Sequence, residues 1–189
     1  MTNVRAAIFA SGTGSNFEAI MAQHESLGCE IALLVCDQPG APVIEKATIK
    51  NVETFVFDAK TYESKANYEQ EIISKLNDLK VTWIFLAGYM RIVGETLLDA
   101  YERQIINIHP SLLPKYPGKD AIGQAFDAGA TRTGVTIHYI DEGIDTGPII
   151  AQQELQVFPD DTRDTIQTRI QSIEHELYPK VIRQLMKSF

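Results

Sequence analysis

Short β-branched apolar runs alternate along this chain with stretches whose apolar residues recur every three or four positions. That alternation is the strongest limit on its fold. The runs are Val4 to Ala10, Glu30 to Cys36, Thr54 to Phe57, Val81 to Ala87 and Ile105 to Ile108. Between them, helical spacing links Phe17, Ile20 and Met21, and also Tyr68, Ile72, Ile73, Leu76 and Leu79 on a long helix starting near Tyr62. Further helices are expected near 42–50 and 94–103. Successive parallel strands each need a crossover, so this order predicts a parallel sheet with helices on both faces. After a helix near 119–128, Gly134 to Ile140 and Ile149 to Val157 form two extended runs joined by a loop, and they predict a mixed or antiparallel C-terminal edge. A last helix from about 161–162 carries Ile166, Ile170, Ile173 and Leu177 on one face. The expected architecture is a single-domain, Rossmann-like, doubly wound α/β fold of about seven strands. Ligands are then expected at the carboxyl ends of the strands.

No repeat or low-complexity linker divides the 189 residues, so one domain over 1–189 is expected. Asp and Glu number 25 against 17 Lys and Arg, a net charge of −8. That balance argues against non-specific binding to nucleic acid or to an anionic membrane, and leaves room for a local basic pocket. No apolar run approaches a membrane span, and the N-terminus leads straight into the first strand, so no signal peptide and a cytoplasmic protein are expected. Cys29 and Cys36 then read as reduced, buried thiols. The four histidines show no metal-ligand spacing, so no metal is expected.

The turn Ala10-Ser-Gly-Thr-Gly-Ser-Asn16 follows a strand and opens a helix. Glycine permits positive φ and close backbone approach, and a helix start offers unpaired N–H groups. Gly12, Thr13, Gly14, Ser15 and Asn16 therefore form a candidate phosphate seat. The turn lacks the Gly-Lys-Ser/Thr of a P-loop and fits a dinucleotide fingerprint in part, since Phe17 stands at the third glycine. Asp37, ending the second strand, lies where a ribose-binding carboxylate would lie. A phosphomonoester, a dinucleotide and a ligand-free tight turn all remain open on these residues.

Asn107-Ile-His-Pro-Ser-Leu-Leu-Pro114 ends the fifth run. Period-two alternation puts Asn107 and His109 on one side of that strand, in front of a loop stiffened by Pro110, Pro114 and Pro117. A lone histidine is more often structural than catalytic; the pairing with Asn107 at a strand's carboxyl end evens that balance. Asp141 to Pro148 is a glycine-punctuated acidic loop. It reads either as a solvated hairpin loop or as a rigid turn aiming Asp145.

Ser11 to Asn16, Leu86-Ala-Gly-Tyr-Met-Arg91, Asn107 to Pro114, and Gly134 to His138 with Asp145-Thr-Gly-Pro148 occur in that order. Together, over residue 4 to about 180, they resemble the phosphoribosylglycinamide formyltransferase (GAR transformylase) family of folate-dependent formyltransferases. The resemblance implies formyl transfer from 10-formyltetrahydrofolate to the amine of 5′-phosphoribosylglycinamide (GAR) in purine synthesis, with both ligands small molecules. It implies catalytic roles for Asn107, His109 and Asp145, with the substrate phosphate at Gly14, Ser15 and Asn16, and with Gln171 and Glu174 toward the glycinamide. Ile173 falls in the same helix segment, where a polar residue is expected, and is not counted as a contact. It also implies folate contacts at Met90, Arg91, Ile92, Val93, Asn107 and the loop Asp141, Glu142, Gly143, Ile144, Asp145. Lys65 stands where the family commonly offers an arginine to the folate. By this reading residues 1–100 bind phosphate and substrate, and about 86–189 carry catalysis and folate binding, in a monomer or homodimer.

The residue chemistry agrees. Amine attack on a formyl carbon builds an oxyanion that the Asn107 amide can bond. Proton movement from the amine to the departing N10 suits a histidine, with the Asp145 carboxylate orienting it and favouring its charged form. Methionyl-tRNA formyltransferase and formyltetrahydrofolate hydrolase share the Asn-x-His centre, but both normally carry a further domain, and none is expected here beside the single domain over 1–189. An NAD-linked enzyme and a non-catalytic nucleotide-binding module are the readings from other classes.

Overall fold

Each apolar run becomes a strand, and the chain is described from residue 4 to residue 188 in a computed structural model. The strands are β1 (Val4–Ala10), β2 (Cys29–Cys36), β3 (Glu53–Val56), β4 (Trp83–Leu86), β5 (Ile105–His109), β6 (Arg132–Tyr139) and β7 (Ile149–Gln156). They form one sheet of order β3-β2-β1-β4-β5-β6-β7. The first five are parallel, while β6 and β7 add antiparallel, as the two late runs predict. Between β3 and β4 the chain returns to the other side of β1, so the carboxyl ends of β1 and β4 diverge and open a crevice.

The helices are α1 (Ser15–Met21), α2 (Pro42–Ile49), α3 (Lys65–Asp78), α4 (Glu95–Ala100), α5 (Ala121–Asp127) and α6 (Arg163–Met186). Phe17 and Ile20 of α1, Val43 of α2 and Ile166, Ile170 and Tyr178 of α6 bury one sheet face. Tyr68, Ile72 and Leu76 of α3 and Leu97 of α4 bury the other. Alternate residues of β1 feed the two cores: Ile8 the first, Phe9 the second. Ile173 packs against the first core, in keeping with its apolar character. Cys29 and Cys36 are free and buried. Among the described residues no helix is long and apolar enough to cross a membrane.

Two helix starts differ from the periodic reading for local reasons. The long helix begins at Lys65, three residues after Tyr62, because the Ser64 hydroxyl accepts the Asn67 N–H at 3.2 Å and caps it. Residues Ala59–Thr61 form a separate 3₁₀ turn capped by Asp58. The last helix starts at Arg163 behind a Thr162–Thr165 capping box. It carries Tyr178, whose hydroxyl donates to the carbonyls of Leu86 (2.8 Å) and Ile106 (3.2 Å). That bond pair ties α6 to the strand ends beside Asn107.

Gly14 is fixed by geometry as well as by any ligand. Its φ is +77°, and a Cβ there would lie 2.6 Å from Val43 Cγ2 and 3.1 Å from Val43 Cα. The turn can therefore pass this close to α2 only with glycine.

Candidate active site

The β5–β6 pairing builds the centre. Asn107 lies directly opposite His138, and His109 opposite Thr136. The β6–β7 ladder slips between Ile137 and His138, a bulge that re-aims the end of β6 beside the site. Asn107 Nδ2 is 3.3 Å from His138 Nε2. His109 Nδ1 is 3.4 Å from Asp145 Oδ2, and His138 Nε2 is 3.6 Å from Asp145 Oδ1. Asp145, from the distant acidic loop, thus meets the Asn107–His109 end of β5. His138 joins them, although spacing along the chain gives it no role. Its signal lies in the cross-strand register, which no single-strand pattern carries.

Partner atoms decide the tautomers. His109 Nε2 is 2.9 Å from the Tyr116 carbonyl, which can only accept, so Nε2 carries a proton. Nδ1 then faces the carboxylate, and only the imidazolium donates to both oxygens. His138 Nδ1 is 2.8 Å from the Tyr139 carbonyl, so the proton sits on Nδ1 and Nε2 offers its lone pair to the Asn107 amide N–H. Burial lowers the His138 pKa and keeps it neutral, against the weaker pull of Asp145.

The loop after β5 is held from below. Thr136 Oγ1 donates to Ser111 O (2.7 Å) and accepts from Leu113 N (3.1 Å) and from Gln152 Nε2 (2.9 Å). Ser111 Oγ donates to Lys115 O at 2.6 Å. Gly118 N donates to Asp145 Oδ2 at 2.7 Å, tying this loop to the acidic one. Asp145 itself has φ 55°, a left-handed conformation that Asp and Asn tolerate best among side-chain-bearing residues. Asp141 accepts from Gly143 N (3.0 Å) and Thr146 Oγ1 (2.6 Å), bracing the acidic loop from within. A Cβ on Gly147 would stand 1.8 Å from the Tyr139 carbonyl, so only glycine lets the loop close against β6.

A cleft of about 1090 Å³ opens over these groups. Of the residues expected at a site, Asn16, Met90, Arg91, Ile92, Val93, Asn107, His109, Asp141, Gly143, Ile144, Asp145 and Glu174 line it. Gly12, Thr13, Gly14, Ser15, Lys65, Glu142 and Gln171 do not. Lys65 instead donates to the Ile92 carbonyl at 2.9 Å, and Glu142 borders a smaller hollow of about 350 Å³ with Val93 and Gly94. Arg163 and Gln167, unremarked in the sequence, line the cleft on the α6 side. Met90, Ile92 and Ile144 are more than half exposed, an apolar rim suited to a flat ring.

Asp37 is 2% exposed and already occupied. It accepts from the Ser11 hydroxyl and from Gln38 Nε2 (3.2 Å), and pairs with Arg91 Nε at 2.9 Å. Ser11 Oγ also accepts from Met90 N at 2.9 Å, joining the glycine turn to the 88–92 segment. Asp37 is thus engaged within the protein rather than open to a ribose, which weakens the main support for a dinucleotide. Across the segment, the Glu69 carboxylate accepts from Gly94 N (2.6 Å) and Leu97 N (3.1 Å) and fixes the start of α4.

Glu174 is a buried carboxyl on the cleft wall. Burial pushes its pKa up to about 7, and the Asn16 amide beside it pulls the other way. The folded form holds the proton more tightly than an unfolded chain, so this group stabilises the fold below about pH 4.5 and loses that contribution as pH rises through about 7. Glu174→Gln should abolish this slope, gaining about 3 kcal/mol relative to wild type between pH 4.5 and pH 8. Urea unfolding of both proteins across that range tests it. Parallel stability curves would show that Glu174 does not titrate differently in the folded protein.

An amide donor, an imidazole and a carboxylate facing one apolar-rimmed cleft suit acyl transfer to an amine: a fixed N–H for a developing oxyanion and a route for protons. Among the described residues, no three His, Cys, Asp or Glu side chains gather as a metal-binding group. The chain is 55% identical to phosphoribosylglycinamide formyltransferase of Bacillus subtilis over 95% of its own length and 93% of that protein's. It is 36% identical to a trifunctional purine biosynthetic protein of Drosophila melanogaster, covering 96% of this chain and 14% of that one. The crystal structure of glycinamide ribonucleotide transformylase 1 from Geobacillus kaustophilus superposes with a TM-score of 0.95 at 55% identity, covering 97% of this chain and 99% of that one. Residues 4–182 match the formyl transferase family, and the chain belongs to that family.

Proposed function

We propose that this chain transfers a formyl group to the glycinamide amine of GAR in purine biosynthesis. The observation that carries the reading is the meeting of Asn107, His109 and Asp145 on one cleft, in a chain 55% identical to a phosphoribosylglycinamide formyltransferase along nearly its whole length. The donor is a folate carrying the formyl group, and 10-formyltetrahydrofolate is the proposed species. Its ring would lie against the Met90–Val93 segment and the 141–145 loop. GAR would run from Asn16 and the glycine turn, past Glu174, toward Asn107. Residues 1–100 then mainly serve GAR, and about 86–189 serve the folate and the chemistry.

The amine nitrogen attacks the formyl carbon, and the carbonyl electron pair moves onto oxygen. Asn107 Nδ2–H donates to that oxygen as its charge grows. The amine proton passes to N10, the C–N10 bond breaks, and formyl-GAR and tetrahydrofolate leave. His109 already donates Nε2–H to Tyr116 O and is 5% exposed, so its proton traffic runs through Nδ1 and the Asp145 carboxylate rather than directly to the ligand. Asp145 thus orients and charges the imidazole and relays a proton, alone or through a water at its oxygen.

The deciding assay is GAR-dependent formation of tetrahydrofolate from 10-formyltetrahydrofolate by purified protein. Release of tetrahydrofolate without GAR would instead identify a hydrolase. The phosphate seat has its own test. Ser15→Asp puts a negative charge at the first residue of α1, where the phosphate is proposed to sit. It should raise the KM for GAR at least about tenfold and change folate affinity little, an interaction loss of about 1.4 kcal/mol or more. Gly14 is a poorer probe, because a side chain there collides with α2 whether or not a ligand binds. Equal weakening of folate binding by Ser15→Asp would make the turn structural only.

A further inference from the structure

We propose that His138 is a positioning residue for the formyl transfer, whose neutral Nε2 fixes which way round the Asn107 amide stands. The inference rests on reading Asn107 as the oxyanion donor. An asparagine side chain can sit either way round, and its two ends have opposite hydrogen-bonding character. Only with Nδ2 placed so that one of its N–H groups reaches the cleft can it donate to a growing oxyanion; with the oxygen in that place, the amide would repel the charge. The adjoining β6 strand supplies the group that makes the choice.

His138 is fully buried and sits directly across the ladder from Asn107. Its Nδ1–H is spent on the Tyr139 carbonyl at 2.8 Å, which leaves a bare lone pair on Nε2. Asn107 Nδ2 stands 3.3 Å from that lone pair. An amide oxygen at this place would face a lone pair, so the amide is held with nitrogen toward His138. One Nδ2–H is used in the bond, and the other is free to donate into the cleft that Asn107 lines.

The arrangement holds only while His138 is neutral. A proton on Nε2 would turn that nitrogen into a donor, with Asp145 Oδ1 waiting 3.6 Å away. Asn107 would lose its acceptor, and its amide would be driven to reverse. The charged and titratable groups facing His138 are His109 from β5 and Asp145 and Asp141 from the acidic loop. Burial and His109 hold the imidazole neutral, while the two carboxylates favour its protonation. The kcat of the wild-type enzyme should therefore fall on the acid side as His138 takes up a proton, with an accompanying loss of Asn107 orientation.

Two substitutions separate the roles of the ring nitrogens. His138→Gln can place an amide oxygen near the Nε2 position and accept from Asn107, without titrating. His138→Asn can keep a donor near Nδ1 and offers nothing at Nε2. His138→Asn should lower kcat about 10- to 100-fold, with KM for both substrates within about threefold of wild type, as for loss of an interaction felt in the transition state. His138→Gln should keep at least about one third of wild-type kcat and extend activity to lower pH. Wild-type kcat in the Asn variant, or an equal loss in both variants, would overturn the proposal.

Because His138 is buried, a variant can fail to fold, so the tautomer is also read in the wild-type protein. Nitrogen-15 NMR of the histidine rings at pH 7.5 should show His138 protonated on Nδ1 and bare on Nε2. Protonation on Nε2 at that pH would sink the proposal with no variant needed. This spectrum does not depend on GAR turnover. Failure of the formyl-transfer assay with the expected tautomer would therefore count against the functional reading and not against the Asn107–His138 pairing.

Discussion

Asn107→Ala is expected to lower kcat by about 10²–10³-fold, the cost of losing one fixed oxyanion donor, with small changes in KM. The expectation follows from placement rather than residue type. Asn107 occupies a strand end whose neighbours on both sides are in register, opposite His138 on β6 and beside Leu86 on β4. Its amide is thus held before substrate arrives, and a held dipole costs no reorganisation in the transition state. Alanine also leaves the buried His138 Nε2 without its donor, so stability should fall by about 1–3 kcal/mol. The kinetic loss must therefore be measured where the variant is shown folded, by near-UV circular dichroism and a complete urea transition. Asn107→Asp is the sharper companion, because it keeps the shape while replacing the N–H donor with a carboxylate. It should be at least as inactive as alanine, since it brings a negative charge to a developing oxyanion. An aspartate variant with near-wild-type kcat would show that Asn107 only fills space.

The sequence is informative wherever a feature is local. Val4 to Ala10 ends at a glycine turn, and its strand ends at the same residue. The late runs read as an antiparallel edge because each is extended and a short acidic loop separates them. The Asn107–His109 pair is visible because a strand repeats every two residues. Features that depend on register or on distant partners leave no such trace. His138 acquires its meaning from the strand it faces, 31 residues away. Asp37 looks like a ribose ligand at the end of β2, yet Ser11 and Arg91 occupy it across separations of 26 and 54 residues. Glu69 falls within the buried stripe of its helix, with Ile72, Ile73 and Leu76, yet only the fold shows that two backbone N–H groups at the start of α4 come to its carboxylate. Within the last helix, 3.6-residue periodicity finds the core-facing Ile166 and Ile170. It does not say that Gln167 rather than Gln171 reaches the cleft. That choice belongs to the angle at which α6 crosses the strand ends, partly fixed by Tyr178 bonding to β4 and β5.

Asp145→Asn carries the other large expected effect, because it changes charge while sparing the backbone. At φ 55° asparagine is tolerated nearly as well as aspartate, so the loop should keep its conformation, and the side-chain oxygen can still accept from Gly118 N. What disappears is a negative charge 3.4 Å from His109 Nδ1 and 3.6 Å from His138 Nε2. Without it the His109 ring loses its anionic partner, and the proposed relay between that ring and the departing N10 is broken. Activity should fall by about 10²–10⁴-fold, the range for removing a general acid–base group. What remains should extend to lower pH, since the Asp145 carboxylate is one of the charges that favour a proton on His138. His109 and Asp145 act as one unit in this picture, so His109→Ala combined with Asp145→Asn should be little worse than the poorer single variant. Two independent contributors would instead multiply their losses, and the double variant would then lie about 10²-fold or more below either single one. Steady-state kcat and kcat/KM profiles of the four proteins across pH distinguish the cases. Full activity in Asp145→Asn with an unmoved profile would remove the carboxylate from the chemistry and leave Asp145 as a residue that only shapes its loop.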